Sequence, residues 1–190
     1  MTKESILKEI YEWGYSIIIA LAIALVIHIF IFQPTRVSGE SMEPTLHNGD
    51  YLLVSKIGHV MGKMPNYGDI VIIDSRTKYD RTWRDDVAEP MTNYFAFFNK
   101  NYQTKNIWVK RVIGKSGDTL AFHDGHVYRN GEKLDETYIN EPMDYTQPGE
   151  IKIPEGEVFV MGDNRNHSSD SRFIGPVPLD HVVGSVAYTL

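Results

Sequence analysis

An apolar segment near the N-terminus constrains this chain more than any other feature. Tyr15 to Phe32 carries no charged residue, and a helix over its roughly 18 residues would reach about 27 Å, enough to cross the hydrocarbon core of a bilayer with little to spare. The polar segment Gln33 to Arg36 follows, in place of the small residues that mark a cleavage site. An uncleaved anchor is therefore favoured over a removable secretory signal, and we expect a transmembrane helix over residues 15–32.

The charges that flank this segment predict its orientation. Lys3 and Lys8 precede it, whereas Arg36 alone follows closely, and cytoplasmic flanks are the richer in lysine and arginine. We expect residues 1–14 in the cytoplasm and residues 33–190 outside it. His28 interrupts the apolar segment, but its position near the end fits a neutral imidazole at the interface, and we assign it no role.

Composition limits the partners of the rest of the chain. Roughly 150 residues remain beyond the anchor, enough for one compact domain with its own core. A net charge of −6 and a pI near 5.6 argue against a nucleic-acid surface, which is normally basic. The chain has no cysteine, and its seven histidines follow no metal-ligand spacing. We therefore expect neither a metal nor another cofactor.

Beyond the anchor, the hydrophobic pattern has the period of two that is typical of strands. The turn dipeptides Asp124-Gly125 and Asn130-Gly131 predict that Asp118 to Leu134 forms a hairpin or small meander. The expected fold is mainly β: a single N-terminal transmembrane helix followed by an all-β domain. The predicted strands are Asp69 to Asp74, Ile107 to Ile113, Thr119 to Phe122, His126 to Arg129, Glu157 to Met161 and His181 to Tyr188.

Ser41 is a candidate nucleophile. It lies nine residues after the apolar segment, and Gly39 and Pro44 bracket it in what the composition predicts to be a tight turn. Such a turn can point a hydroxyl into a cleft and leave nearby N–H groups free. An ordinary surface loop has the same composition, so the turn alone does not decide between the two interpretations.

Lys110 is a candidate general base. Alternation along Ile107 to Ile113 places Lys110 on the face of Trp108 and Val112, and Arg111 on the other face, which is also apolar. A desolvated lysine has a lowered pKa, and to be largely neutral near pH 7.4 its pKa must fall by about three units from about 10.4. The alternative is an edge strand on which both cations face water.

A third segment, Gly162 to Arg172, is too polar for the core of a strand. Asp170 and Arg172 are placed to form an ion pair, and Ser168 is placed to hydrogen-bond a lysine amine and fix its direction. A solvated turn after the preceding strand is the alternative. The roles of Asp163 and Asn164 cannot be derived from the sequence.

Together these segments resemble the type I signal peptidases, which are membrane-anchored serine proteases with a Ser/Lys dyad. The resemblance is specific because several motifs follow one another in order along nearly the whole chain. The single anchor and short domain are similar to the compact form found in Gram-positive bacteria. The motifs are the anchor, Ser38 to Thr45, Gly68-Asp69-Ile70-Val71, Lys110 to Gly114 with Gly117-Asp118, and Gly162 to Arg172.

The resemblance implies roles for the matching residues. Ser41 is implied to be the nucleophile and Lys110 the general base. The oxyanion hole is implied to combine the backbone N–H of Ser41 with the Ser38 hydroxyl. The implied supporting residues are Ser168, which orients the lysine, Asp170 and Arg172, which form a structural ion pair, and Met42, which walls the site.

The implied activity is the removal of signal peptides from secreted preproteins, with small residues at the first and third positions before the scissile bond. The implied partners are these signal peptides and the lipid bilayer of the cell membrane, and proximity to the secretion translocon is compatible with them. An extended peptide that adds to a sheet edge would let shallow pockets read alternate side chains.

The chain departs from the family pattern in two places. Asn166 replaces an acidic residue seen in some members. The segment Ser75 to Asn106 is longer than in the compact form, and we leave open whether its aromatic residues form a membrane contact, a substrate flap or a small satellite core. These aromatic residues are Trp83, Tyr94, Phe95, Phe97 and Phe98.

Other classes of protein fit the sequence less well. A Ser/His hydrolase would need a histidine in the strand of Lys110, which has none. A self-cleaving repressor-type Ser/Lys protease would share the chemistry but lack the anchor. The remaining alternative is a catalytically inactive anchored β-domain that binds extended peptides.

Overall fold

The computed structural model describes residues 3–82, 84–86, 88 and 106–189. Its first element, helix α1, runs over Lys3–Phe30. The part from Lys8 to Phe30 is 23 residues long with a mean hydropathy of 2.2, which is long and apolar enough to cross a membrane. Almost none of this part packs against the rest of the protein, so its apolar surface fits a lipid environment.

The structure joins α1 to the domain through two strands that the sequence did not predict. Strand β1 (Phe32–Arg36) follows the helix directly and pairs antiparallel with β2 (Tyr51–Ser55). The helix therefore ends two residues before the predicted Phe32, because Phe32 already belongs to β1. Pro34 is tolerated in β1 because this strand lies at the edge of its sheet, where a missing N–H disrupts no second ladder.

The described strands form two antiparallel sheets. The larger has seven strands in the order β1-β2-β11-β3-β4-β9-β10, and the smaller has four in the order β7-β6-β5-β8. The remaining strands are β3 (Ile70–Asp74), β4 (Ile107–Lys115), β5 (Thr119–His123), β6 (His126–Arg129), β7 (Glu132–Lys133), β8 (Gln147–Lys152), β9 (Glu157–Met161), β10 (Val177–Pro178) and β11 (Val182–Thr189).

Helical structure within the described part of the domain is short. Helix α2 covers Ile57–Val60 and helix α3 covers Ser171–Ile174. Two 3₁₀ turns cover Arg165–His167 and Leu179–His181. The prediction of a mainly β domain after one N-terminal helix is therefore confirmed.

The predicted hairpin is also confirmed. Strands β5 and β6 pair around Asp124-Gly125, and β6 pairs with β7 around Asn130-Gly131. All four turn residues have positive φ, between 52° and 83°. Type I′ turns require this conformation, which asparagine, aspartate and glycine adopt at the lowest cost.

The core has apolar clusters on both faces of the larger sheet. Ile72 packs with Met42, Leu52 and Val54 on one face, and its neighbours in β3 pack with Val112 on the other. Strand β4 lies between β3 and β9, so the interpretation of Lys110 and Arg111 as residues of a water-facing edge strand is wrong. A third cluster, which includes Phe122 and Phe159, joins the smaller sheet to β9.

The long segment between β3 and β4 is described only at its two ends. The backbone N–H of Ser75 donates to the carbonyl of Asn106 at 2.8 Å, so the two ends lie side by side. The five aromatic residues that we noted in this segment, Trp83, Tyr94, Phe95, Phe97 and Phe98, lie outside the described residues.

Candidate active site

A buried methionine next to Ser41 fixes the turn to the core of the domain. Met42 is 1% exposed and packs in the core cluster with Leu46 and Leu52. Within the turn, the N–H of Leu46 donates to the carbonyl of Met42 at 2.9 Å. Gly39, with φ of 99°, supplies a conformation that other residues rarely adopt. Met42 thus holds the turn on the sheet while the partly exposed Ser41 faces the surface.

Lys110 reaches Ser41 from the middle of β4. Its Nζ lies 2.8 Å from Ser41 Oγ, within hydrogen-bond distance, although the two residues are 69 positions apart in the chain. The side chain is 3% exposed, and its Nζ lies 5.7 Å from the centre of the Trp108 ring. The structure therefore brings the two predicted catalytic residues together in a largely dry setting.

Burial makes the Lys110 amine a usable base. Desolvation is the main cause that lowers its pKa from 10.5 to about 8. The charge of Asp170 opposes this shift, Arg172 reinforces it, and Asp163 opposes it. With a pKa of about 8, about a fifth of the amine is neutral at about pH 7.4. The Lys110 pKa thus falls less than the sequence analysis required. The neutral fraction of the amine can nevertheless accept a proton from Ser41.

The polar segment after β9 forms a buried network centred on Asp170. This carboxylate is fully buried, and the Arg172 guanidinium donates to both of its oxygens at 2.8 Å. The Ser168 hydroxyl donates to Asp170 Oδ2 at 2.8 Å, and the Gly162 N–H donates to the same oxygen at 3.0 Å. The predicted pair of Asp170 and Arg172 is present, while the hydrogen bond of Ser168 goes to Asp170 and not to Lys110.

The family resemblance assigns the Ser38 hydroxyl and the Ser41 N–H to the oxyanion hole. Ser38 is exposed and lies on the same loop as Ser41. Among the described residues, none accepts a hydrogen bond from the backbone N–H of Ser41. An oxyanion donor needs an N–H that no other group of the protein occupies, and within the described residues the Ser41 N–H meets this condition.

Comparison with known proteins identifies the family. A sequence profile described as signal peptidase, peptidase S26, matches residues 10–190. The chain belongs to the signal peptidase family. It is 36% identical to signal peptidase I T of Bacillus subtilis (strain 168) over 92% of this chain and 81% of that protein. It is 39% identical to signal peptidase I of Bacillus licheniformis over 87% of this chain and 79% of that protein.

A third relative, signal peptidase IB of Staphylococcus aureus (strain COL), is 32% identical over 95% of this chain and 89% of that protein. A crystal structure of a signal peptidase I from Enterococcus faecalis V583 aligns with 66% of this chain and 98% of that one, at 28% identity and a TM-score of 0.44. On the sequence matches, this member of the signal peptidase family is a serine peptidase.

The structure gives contacts to two residues whose roles the sequence left open. Asp163 accepts hydrogen bonds from the Arg111 guanidinium, at 2.8 Å to Oδ1 and 2.6 Å to Oδ2, and from the Thr45 hydroxyl. Asp163 thereby connects β4 to Thr45, at the end of the turn that carries Ser41 (the nucleophile turn of the proposal below). Asn164 contacts two backbone carbonyls of the same turn. Their place in a polar segment after a buried strand was the only sequence signal for either.

Proposed function

We propose that this signal peptidase removes signal peptides from secreted preproteins with a catalytic dyad, in which Ser41 is the nucleophile and Lys110 the general base. The observation that supports this most directly is the 2.8 Å distance between Lys110 Nζ and Ser41 Oγ. The lowered pKa of Lys110 supports the second half of the proposal, because only a neutral amine can take the proton.

Acylation begins when neutral Lys110 takes the hydroxyl proton of Ser41 while Oγ bonds to the scissile carbonyl carbon. The C=O electron pair moves onto oxygen, and the Ser41 N–H and the Ser38 hydroxyl stabilise the resulting oxyanion. When this intermediate collapses, the C–N bond breaks and the Lys110 ammonium gives its proton to the leaving nitrogen. The mature protein departs as an amine, and the signal peptide remains as an ester of Ser41.

Deacylation repeats these steps with water in place of the hydroxyl. Neutral Lys110 takes a proton from water, whose oxygen attacks the ester carbonyl. The second oxyanion collapses and expels the Ser41 oxygen, which recovers its proton from Lys110. The signal peptide leaves as a carboxylic acid that loses its proton to water, and the dyad returns to its starting state.

Helix α1 serves in this proposal as a membrane anchor, with residues 1–14 in the cytoplasm and the domain outside. The length and hydropathy of Lys8–Phe30 support a membrane span, and the lysines before it support the orientation. An anchored enzyme meets signal peptides in the same membrane plane, which raises their effective concentration without any new contact. Proximity to the secretion translocon would follow from this location.

Cleavage of a purified preprotein by the full chain, reconstituted in lipid vesicles, tests the proposal. Wild-type protein is expected to release the signal peptide, and the Ser41→Ala variant is expected to release none. Ser169→Ala, which alters an exposed serine of the polar segment, is the matched control and should retain full activity. A fully active Ser41→Ala variant would refute the assignment of the nucleophile. A wild-type protein that binds the preprotein without cutting it would favour the inactive peptide-binding β-domain.

A further inference from the structure

One residue holds two consecutive carbonyls of the nucleophile turn. The backbone N–H of Asn164 donates to the carbonyl oxygen of Ser41 at 3.1 Å. The side-chain amide of Asn164 donates to the carbonyl oxygen of Glu40, also at 3.1 Å. Asn164 lies 124 positions after Glu40, so the segment that follows β9 is hydrogen-bonded to the turn at two adjacent peptide units.

The second of these contacts acts on the peptide that joins Glu40 to Ser41. The carbonyl of residue 40 and the N–H of residue 41 belong to one planar unit, and in a trans peptide they point in opposite directions. A donor that fixes the direction of the Glu40 carbonyl therefore also fixes the direction of the Ser41 N–H. A hydrogen bond accepted at a carbonyl further polarises the amide, which strengthens its N–H as a donor.

This N–H is the backbone donor assigned above to the oxyanion. It makes no hydrogen bond to another residue in the part of the chain that the structure describes. At the other end of this peptide, the Glu40 carbonyl accepts from the Asn164 side-chain amide and from the Glu43 backbone N–H, each at 3.1 Å. We propose that Asn164 is a positioning residue that aims and polarises the Ser41 N–H toward the oxyanion of the cleavage reaction. This inference rests on the proposed dyad and adds a role for a residue outside it.

The two contacts of Asn164 can be separated experimentally. Substitution of the side chain removes the hydrogen bond to Glu40 but leaves the backbone hydrogen bond to Ser41 in place. The hydrogen bond to Glu40 lies at the exposed surface, so water can replace the lost donor and the stability of the fold should change little. A loss of activity in such a variant would therefore report on the aim of the N–H and not on unfolding.

The test is steady-state cleavage of a preprotein by the full chain in vesicles, with Asn164→Ala and Asn164→Asp. Removal of a whole oxyanion donor lowers kcat by about 10²–10³-fold, so a misdirected donor is expected to lower kcat by about tenfold with KM unchanged. Asn164→Asp keeps the shape but presents a carboxylate to the Glu40 carbonyl, so its loss should be at least as large. In Asn164→Ala the midpoint of the pH–rate profile should stay at the wild-type value, because Lys110 is untouched and no charge is added near it.

Asn166→Ala is the matched control, because its amide holds Glu141 and Pro142 and not the nucleophile turn. Its kcat should remain within about twofold of wild type, since surface substitutions that touch neither the core nor a buried hydrogen-bond network have small effects. Wild-type kcat in Asn164→Ala, a shifted pH midpoint in that variant, or a loss of activity matched by a loss of thermal stability would each overturn the inference. Wild type and Ser41→Ala are measured in parallel, because the comparison between them tests the proposed dyad alone. If that comparison supports the dyad, a negative result for Asn164 overturns only the inference about Asn164.

Discussion

Gly162 lies against Ser41 so closely that no side chain fits between them. A Cβ on Gly162 would fall within 3.0 Å of the Ser41 carbonyl oxygen and of the Ser168 hydroxyl. Both neighbours are fixed, Ser41 by its turn and Ser168 by its hydrogen bond to Asp170. The end of β9 can therefore approach Ser41 only because residue 162 has no side chain.

We predict that Gly162→Ala lowers cleavage activity by at least about 100-fold, because the displaced turn would separate Ser41 from Lys110 and displacements of about 1 Å can cost that much. Preprotein cleavage measures the effect, and circular dichroism checks that the variant is folded. Gly58→Ala is the matched control, since the nearest atom to its Cβ is 4.0 Å away. Equal activity of the two variants would show that the close approach does not matter.

We predict that Asp170→Asn lowers the free energy of unfolding by about 3 kcal/mol, because it leaves the buried Arg172 guanidinium without its counter-charge. Urea denaturation measures this change. The control is Asp124→Asn, in which the carboxylate is exposed and the positive φ suits asparagine, and its stability should stay within about 0.5 kcal/mol of wild type. Similar stabilities of the two variants would contradict the account of the network.

The pKa of Lys110 also predicts how stability depends on pH. The folded pKa of about 8 lies below the ordinary value of 10.5. Between these values the unfolded chain binds the proton and the folded chain does not, so stability rises with pH across this window. Below about pH 8 the buried ammonium costs roughly 3 kcal/mol.

Lys110→Met should therefore be more stable than wild type at about pH 7 by up to roughly 3 kcal/mol, with the advantage shrinking as pH rises toward 10.5. Urea denaturation at several pH values measures the two curves. Lys133→Met, at an exposed lysine of β7, is the control, and its free energy of unfolding should change with pH as that of wild type does. If the free energies of unfolding of Lys110→Met and wild type differed by the same amount at every pH, the Lys110 pKa would not be lowered.

The sequence predicted six strands of the described part of the chain, and it missed β1, β2, β7, β8 and β10. The predicted ranges of β3, β4, β5 and β11 agree with the structure to within two residues at each end, and those of β6 and β9 agree fully. Strand β1 was missed because it continues the apolar segment and contains Pro34. Strand β8 was missed because its Pro148-Gly149 reads as a turn, although edge strands tolerate both residues.

For the site, the sequence could nominate residue types but not distances. Ser41 and Lys110 were identified from a turn motif, a strand face and a family resemblance. Their contact depends on how β4 packs under the turn, which no local pattern encodes. Asn164 could not be assigned a role because its contacts to the turn join residues more than 100 positions apart.

The most direct test of the account is the pH dependence of kcat/KM for preprotein cleavage, because this quantity titrates the free enzyme's essential base. We expect the rate to rise with the loss of one proton at a midpoint of about 8, the pKa of the buried Lys110 amine. Lys110→Arg should show no activity at any pH, since its guanidinium stays charged. A rate that is flat through this midpoint, or that begins to rise only near the ordinary lysine value of 10.5, would contradict the account.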